Sequence, residues 1–183
     1  MSPTPAPSGG EEFTEVVVVR HGETSWNASH IVQGQMDPEL NEIGRQQAVV
    51  VWFICLNNVL RGFDIFKITE GSDPDSRNQE IPGGGESLNQ LTERCVSYLN
   101  KIAQEHIGER VVVVSHGAAI LEMSWHTDPP NSPIRRNIPN TLLNVFRVSS
   151  VTGHWILERC GDVSHLNGNG FLENSFGGNG ASA

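Results

Sequence analysis

The sequence predicts an α/β fold built on a mostly parallel central sheet, and three observations carry that expectation. Residues Glu15 to Arg20 and Arg110 to Ser115 are valine runs without alternation, the composition of parallel strands covered on both faces. Each run ends at a His-Gly pair. Ligands of open α/β sheets bind beyond the carboxyl ends of such strands, so His21 and His116 are expected to face one another across a shared crevice. A helix leads into the second run: Ser87-Leu88-Asn89-Gln90 reads as a capping box, Leu88, Leu91, Cys95, Leu99 and Ile102 recur at helical spacing, and Gly108 marks the stop.

The remaining elements follow from local chemistry. Leu142 to Ser149 and His154 to Arg159 read as strands joined around Val151-Thr152-Gly153. Asn41 is placed to cap a helix through Gln46 and Gln47, but Val49 to Ile54 is apolar on every face and rich in poor helix formers, so helix and strand signals conflict there. Phe63 to Ile68 has strand character, and Glu70 to Gly85 is a polar loop rich in Gly and Pro. One domain is expected over 14–166, between a disordered lead-in at 1–13 and a Gly/Asn-rich tail at 167–183.

Composition narrows the function classes. A net charge of -9 and a pI near 5.2, with no long basic run, argue against nucleic acid or an anionic membrane surface as partner. The longest apolar run, Ala48 to Leu56, has nine residues where a spanning helix needs about 20. Three cysteines without a C-x-x-C pair indicate neither a disulfide framework nor a zinc site, and the start lacks the order of a secretory signal, so a cytoplasmic protein with reduced thiols is expected. No H-E-x-x-H and no Asp-rich loop points to a metal, and no cofactor is expected. Ser115 is not a hydrolase elbow, because Val113-Val114-Ser115-His116-Gly117 lacks the first glycine of G-x-S-x-G.

The chemistry gathers in an ordered set of short motifs. Arg20-His21-Gly22-Glu23-Thr24 is followed by Trp26-Asn27, Gln33-Gly34, Asp37-Pro38, Leu40, Gly44 and Gln47-Ala48; then come Gly85-Glu86-Ser87, Val114-Ser115-His116-Gly117, Pro139-Asn140-Thr141 and His165-Leu166. This set resembles the histidine phosphatase superfamily, the phosphoglycerate mutase-like proteins, over residues 15 to 48 and 81 to 166. The resemblance implies a three-layer sandwich and a metal-independent phosphomonoesterase acting on a small phosphorylated metabolite. The alternatives are a catalytically impaired phospho-ligand-binding member of the same family and a phosphoglycerate mutase, for whose longer insertions the chain is short. The oligomeric state stays open.

The expected chemistry fits these residue types. A neutral imidazole attacks phosphorus in line and leaves a phosphohistidine for water to hydrolyse, the role the resemblance gives His21. Charge on the equatorial oxygens needs fixed donors, which the resemblance assigns to Arg20, His116, Asn27 and backbone amides, with Gln33, Gly34 and Gly117 lining the pocket. A helix after His21 would add its N-terminal amides. His30, His106, His126 and His154 read as structural or surface residues, and Arg135-Arg136 as a solvated basic pair.

The sequence departs from the family between about 49 and 80. Members carry there an S-D-x-x-R-A arginine, and further on an acid that protonates the leaving group; neither motif stands here. Ser72-Asp73 is followed by Arg77, one position late, which makes Arg77 the candidate replacement arginine, while Glu70, Asp73, Asp75 and Glu86 are the candidate acids. A shortened chain would also leave Val49 to Ile54 partly exposed.

Overall fold

The computed structural model describes residues 12–31, 33, 36–57, 77–80, 85–127 and 138–166. Both valine runs are strands, β1 (Phe13–Arg20) and β2 (Arg110–Ser115), and they pair in parallel with Val16 opposite Val111 and Arg20 opposite Ser115. The equal register brings both strands to an end at the same level, with His21 and His116 one residue beyond. The predicted hairpin is β3 (Leu143–Ser149) and β4 (Trp155–Asp162), turned through Gly153 at φ 68°. β3 lies antiparallel along the other side of β1, giving the order β2-β1-β3-β4. Among the described residues the sheet is mixed, with β1 and β2 as its parallel pair and β3 and β4 added antiparallel, within the expected α/β fold.

Helices cover both faces. After the four-residue α1 (Ser25–Ala28), α2 (Glu42–Asn57) packs Val51 on Val17 and Val19 of β1 and on Leu143 and Val145 of β3. α3 (Leu88–Glu105) and α4 (Gly117–Thr127) cover the opposite face, where Leu99, Ala103, Ile120 and Met123 meet Val16, Val18, Phe146 and Val148. Successive strand residues point to opposite faces, so an unbroken valine run serves two cores at once. The capping box of α3 forms as expected, with the Gln90 amide donating to Ser87 Oγ at 3.3 Å and the Ser87 amide to Gln90 Oε1 at 2.7 Å. Gly108, at φ 76°, follows the end of α3.

The conflict over Val49 to Ile54 resolves as helix: Asn41 Oδ1 accepts from the Gly44 amide at 2.8 Å, and α2 continues through the apolar stretch. Val49 and Trp52 remain exposed. Phe63 to Ile68 and residues 167–183 lie outside the described residues, and β1 begins at Phe13, inside the expected lead-in. Among the described residues no helix is long and apolar enough to cross a membrane, and none of the three cysteines forms a disulfide.

The start of α2 presses directly on the His21 loop. A Cβ on Gly44 would stand 2.0 Å from the Glu23 carbonyl oxygen, and one on Gly22 would stand 2.4 Å from that of Gly44. Backbone cannot swing aside as a side chain can. Gly44→Ala is therefore expected to cost about 1–3 kcal/mol as overpacking, lowering Tm by roughly 2–4 °C per kcal/mol. A thermal melt matching that of the unaltered chain would contradict this reading of the contact.

Candidate active site

His21 and His116 stand where the parallel pair ends, with ring centroids 5.0 Å apart and planes inclined at 61°. His21 Nδ1 lies 2.8 Å from the Gly22 carbonyl oxygen, which can only accept. Nδ1 therefore carries the proton and Nε2 keeps its lone pair. Burial, and to a lesser degree the charges of Arg20 and His116, push the His21 pKa below its ordinary value, although the Gly22 bond opposes them. The ring is thus held neutral, as a nitrogen nucleophile requires.

Arg20 supplies the charge. Its guanidinium is buried, donates from NH1 to the Ile138 carbonyl, and leaves Nε without a partner among the described residues. No described carboxylate forms an ion pair with it. Desolvation pulls its pKa down to about 10, still far above neutrality. A buried, unpaired cation is costly unless an anion reaches it, and a guanidinium fork matches phosphate oxygens. Gly117, the first residue of α4, lies flat against this side chain, with an added Cβ 3.7 Å from Arg20 Nε.

A polar network that the sequence left unassigned fixes these groups. Thr141 is held at φ 60°, a conformation unfavourable for a β-branched residue, and its amide donates to the Arg20 carbonyl at 3.0 Å. Asn140 Nδ2 donates to the His21 carbonyl at 3.0 Å and to Asn27 Oδ1 at 3.2 Å. Asn27 Oδ1 also accepts from the Thr24 amide, so its Nδ2 is the end left to serve an anion. That bond and its reciprocal, from the Asn27 amide to Thr24 Oγ1, form the capping box of α1, which uses amides expected to face phosphate. Gln33 Nε2 donates to Thr24 Oγ1 at 2.6 Å, bracing the same turn. Pro139-Asn140-Thr141 and His165 were visible as motif residues, but only the fold reveals what they hold.

His165 closes this network from behind. Thr141 Oγ1 spends its one proton on the Asn140 carbonyl at 2.7 Å, so His165 Nε2, 3.1 Å away, donates to it. Burial pushes the His165 pKa to about 4 from an ordinary 6.5. The unfolded chain thus binds the proton more readily, and stability present above pH 6.5 is lost as pH falls through that window, to a limit of about 3 kcal/mol. Urea titrations at pH 7 and pH 4.5 should show His165→Gln losing less stability between them than the unaltered chain. Equal losses would mean that His165 does not carry the effect.

Two candidates turn away from this site. Arg77 pairs with the buried Glu122 of α4, donates from Nε to Asn89 at 3.2 Å, and stacks 5.5 Å above the Trp125 ring. The 45 positions that separate Arg77 from Glu122 hid that buried carboxylate. Glu86 pairs at the surface with Arg94, whose hydrogen bond lowers its pKa, the opposite of what a proton donor needs. Gly34, Glu70, Asp73, Asp75, Arg135 and Arg136 lie outside the described residues. His126 stands edge-on to Trp155 and His106 bonds Glu109, as expected of structural histidines.

Comparison with known proteins agrees with the geometry. A family model described as "Histidine phosphatase superfamily (branch 1)" matches residues 16–52 and 67–162. Phosphoglycerate mutase-like protein 4 of Arabidopsis thaliana is 35% identical, covering 91% of this chain and 93% of its own length. The metal-independent phosphoserine phosphatase of the same plant is 32% identical, covering 91% and 89%. Both alignments run over 216 residues, more than the 183 of this chain, so each relative holds residues without a counterpart here. Among solved structures, YhfR of Bacillus stearothermophilus superposes with a TM-score of 0.63 at 21% identity, over 84% of this chain and 99% of that one. An Entamoeba histolytica phosphoserine phosphatase mutant, in complex with phosphoserine, does so at 0.59 and 21%, over 84% and 99%.

Proposed function

Because the chain belongs to the histidine phosphatase superfamily, branch 1, we propose that it is a metal-independent phosphomonoesterase that works through a phosphohistidine on His21. The observation that carries this reading is a neutral His21, its Nδ1–H tied to the Gly22 carbonyl, beside the buried Arg20 guanidinium, which has no ion-pair partner among the described residues. The phosphoryl group of a small ester binds between Arg20, His116 and Asn27. His21 Nε2 attacks phosphorus, the bond to the leaving oxygen breaks, and that oxygen takes a proton from solvent or from a group outside the described residues. Water then attacks the phosphohistidine and releases inorganic phosphate.

The relatives' names support a phosphate ester as substrate, phosphoserine among them. A second reading, a binder of phosphorylated ligands that does not turn over, is favoured by one observation: Arg77 and Glu86, candidates for the missing arginine and acid, are engaged elsewhere. Acid-quench single-turnover mixing with p-nitrophenyl phosphate, followed by mass spectrometry under conditions that preserve phosphohistidine, separates the two. A phosphorylated peptide containing His21 is expected. Its absence, with bound phosphate still measurable, would establish the binder.

A further inference from the structure

Among the described residues the sheet face beneath α2 is only half covered. α2 packs over β1 and β3, whereas β2 is the last described strand on its side of the sheet and turns Val112 and Val114 to the same face, where no described element packs on them: they are 45% and 67% exposed. The result is a recess of about 570 Å³, walled by Val51 and Trp52 of α2 and by Val112 and Val114 of β2, with His21 and Arg20 at one end. No acid lines it among the described residues.

We infer that this recess, continuous with the phosphate site, holds the alcohol portion of the substrate, and that the preferred substrates are phosphate monoesters of apolar, ring-sized alcohols or phenols. The inference rests on the phosphatase reading above. A cavity of this size falls within the range of small-molecule sites, which are mostly apolar with a few polar groups to fix orientation. Arg20, His21 and Thr141 line it at the end where a phosphoryl group would sit, Arg110 lies at the other end, and the apolar side chains between them lie where the ester's organic part would extend. Arg110, at the far end of the lining, is held in an ion pair by Glu15, so the amino and carboxylate groups of phosphoserine would find no unpaired charge along the valine wall.

The test uses the intact chain and two phosphonates that cannot be hydrolysed, methylphosphonate and 2-naphthylmethylphosphonate, with binding read by calorimetry. Burying the naphthyl group should tighten binding by at least about tenfold. Val112→Asp and Trp52→Ala, each at an exposed position, should bring the naphthyl compound back towards the affinity of methylphosphonate. Equal affinities in the unaltered chain would overturn the recess and leave the phosphatase reading standing. Failure of both compounds to bind would remove the phosphate site itself, and both readings with it. A naphthyl advantage that survives both substitutions would place apolar binding elsewhere and overturn the inference. A concentration-dependent dimer that the naphthyl compound does not dissociate would do the same, by assigning the recess to a second copy.

Discussion

Replacing His21 with alanine is expected to abolish turnover, by about 10⁴-fold or more, while phosphate binding changes by no more than about threefold. The nucleophile and the anion-binding charge reside on different side chains. His21 is neutral and contributes a lone pair, whereas Arg20 is buried without an ion-pair partner among the described residues and contributes the charge. Alanine removes the covalent route and leaves the guanidinium, His116 and the amides around Gly117. The complementary change, Arg20→Met, should weaken phosphate binding far more than His21→Ala does. Thermal melts with added phosphate read this directly, since a ligand that binds only the folded chain raises Tm. Unchanged turnover in His21→Ala, assayed with chelator present, would assign the activity to another component of the preparation.

Much of the site was legible because its parts are local. The β-branched runs specify β1 and β2, their equal register brings His21 and His116 together, and each capping box lies within four residues. What the sequence could not disclose depends on pairings distant along the chain. Nothing in the β3 sequence says that it docks against β1 rather than beside β2, so the sequence predicts the β3–β4 hairpin but not the antiparallel pairing of β3 with β1. Arg77 and Glu122 stand far apart in sequence on segments that only packing unites. Thr141 stands out in the sequence only as part of the Pro139-Asn140-Thr141 motif; its positive φ and its bond to the Arg20 carbonyl show that it holds the strand end. The exposure of Val112 and Val114 on β2 is likewise invisible, because a valine run has the same composition whether one face is covered or two.

The dependence of rate on the leaving group should be steep. The acids that the structure describes near this end of the sheet are engaged: Glu23 accepts from Asn41 at 2.7 Å, Glu122 holds Arg77, and Glu86 holds Arg94 with a lowered pKa. With no free carboxyl group among the described residues to protonate the departing oxygen, the first step is expected to depend on how well that oxygen bears negative charge. A general acid contributes roughly 10² to 10⁴ in rate, so kcat/KM for p-nitrophenyl phosphate, which leaves as a stable phenolate, should exceed that for phosphoserine by about that factor relative to a family member that supplies the proton. The apolar recess beside His21 could also favour an aryl ester through binding alone, so benzyl phosphate belongs in the comparison. It is an alkyl ester of similar size and apolarity. Compared by kcat/KM, benzyl phosphate falls with phosphoserine if the missing proton governs the rate and follows the aryl ester if binding governs it; single-turnover rates at saturation, where binding differences drop out, should then keep the aryl advantage only in the first case. An aryl-to-alkyl ratio equal to that of a full-length relative, at the same pH and without metal, would mean that an acid has been recruited. Single replacements of Glu70, Asp73, Asp75 and Glu86 would then identify it as the variant whose phosphoserine turnover collapses while its p-nitrophenyl phosphate turnover persists.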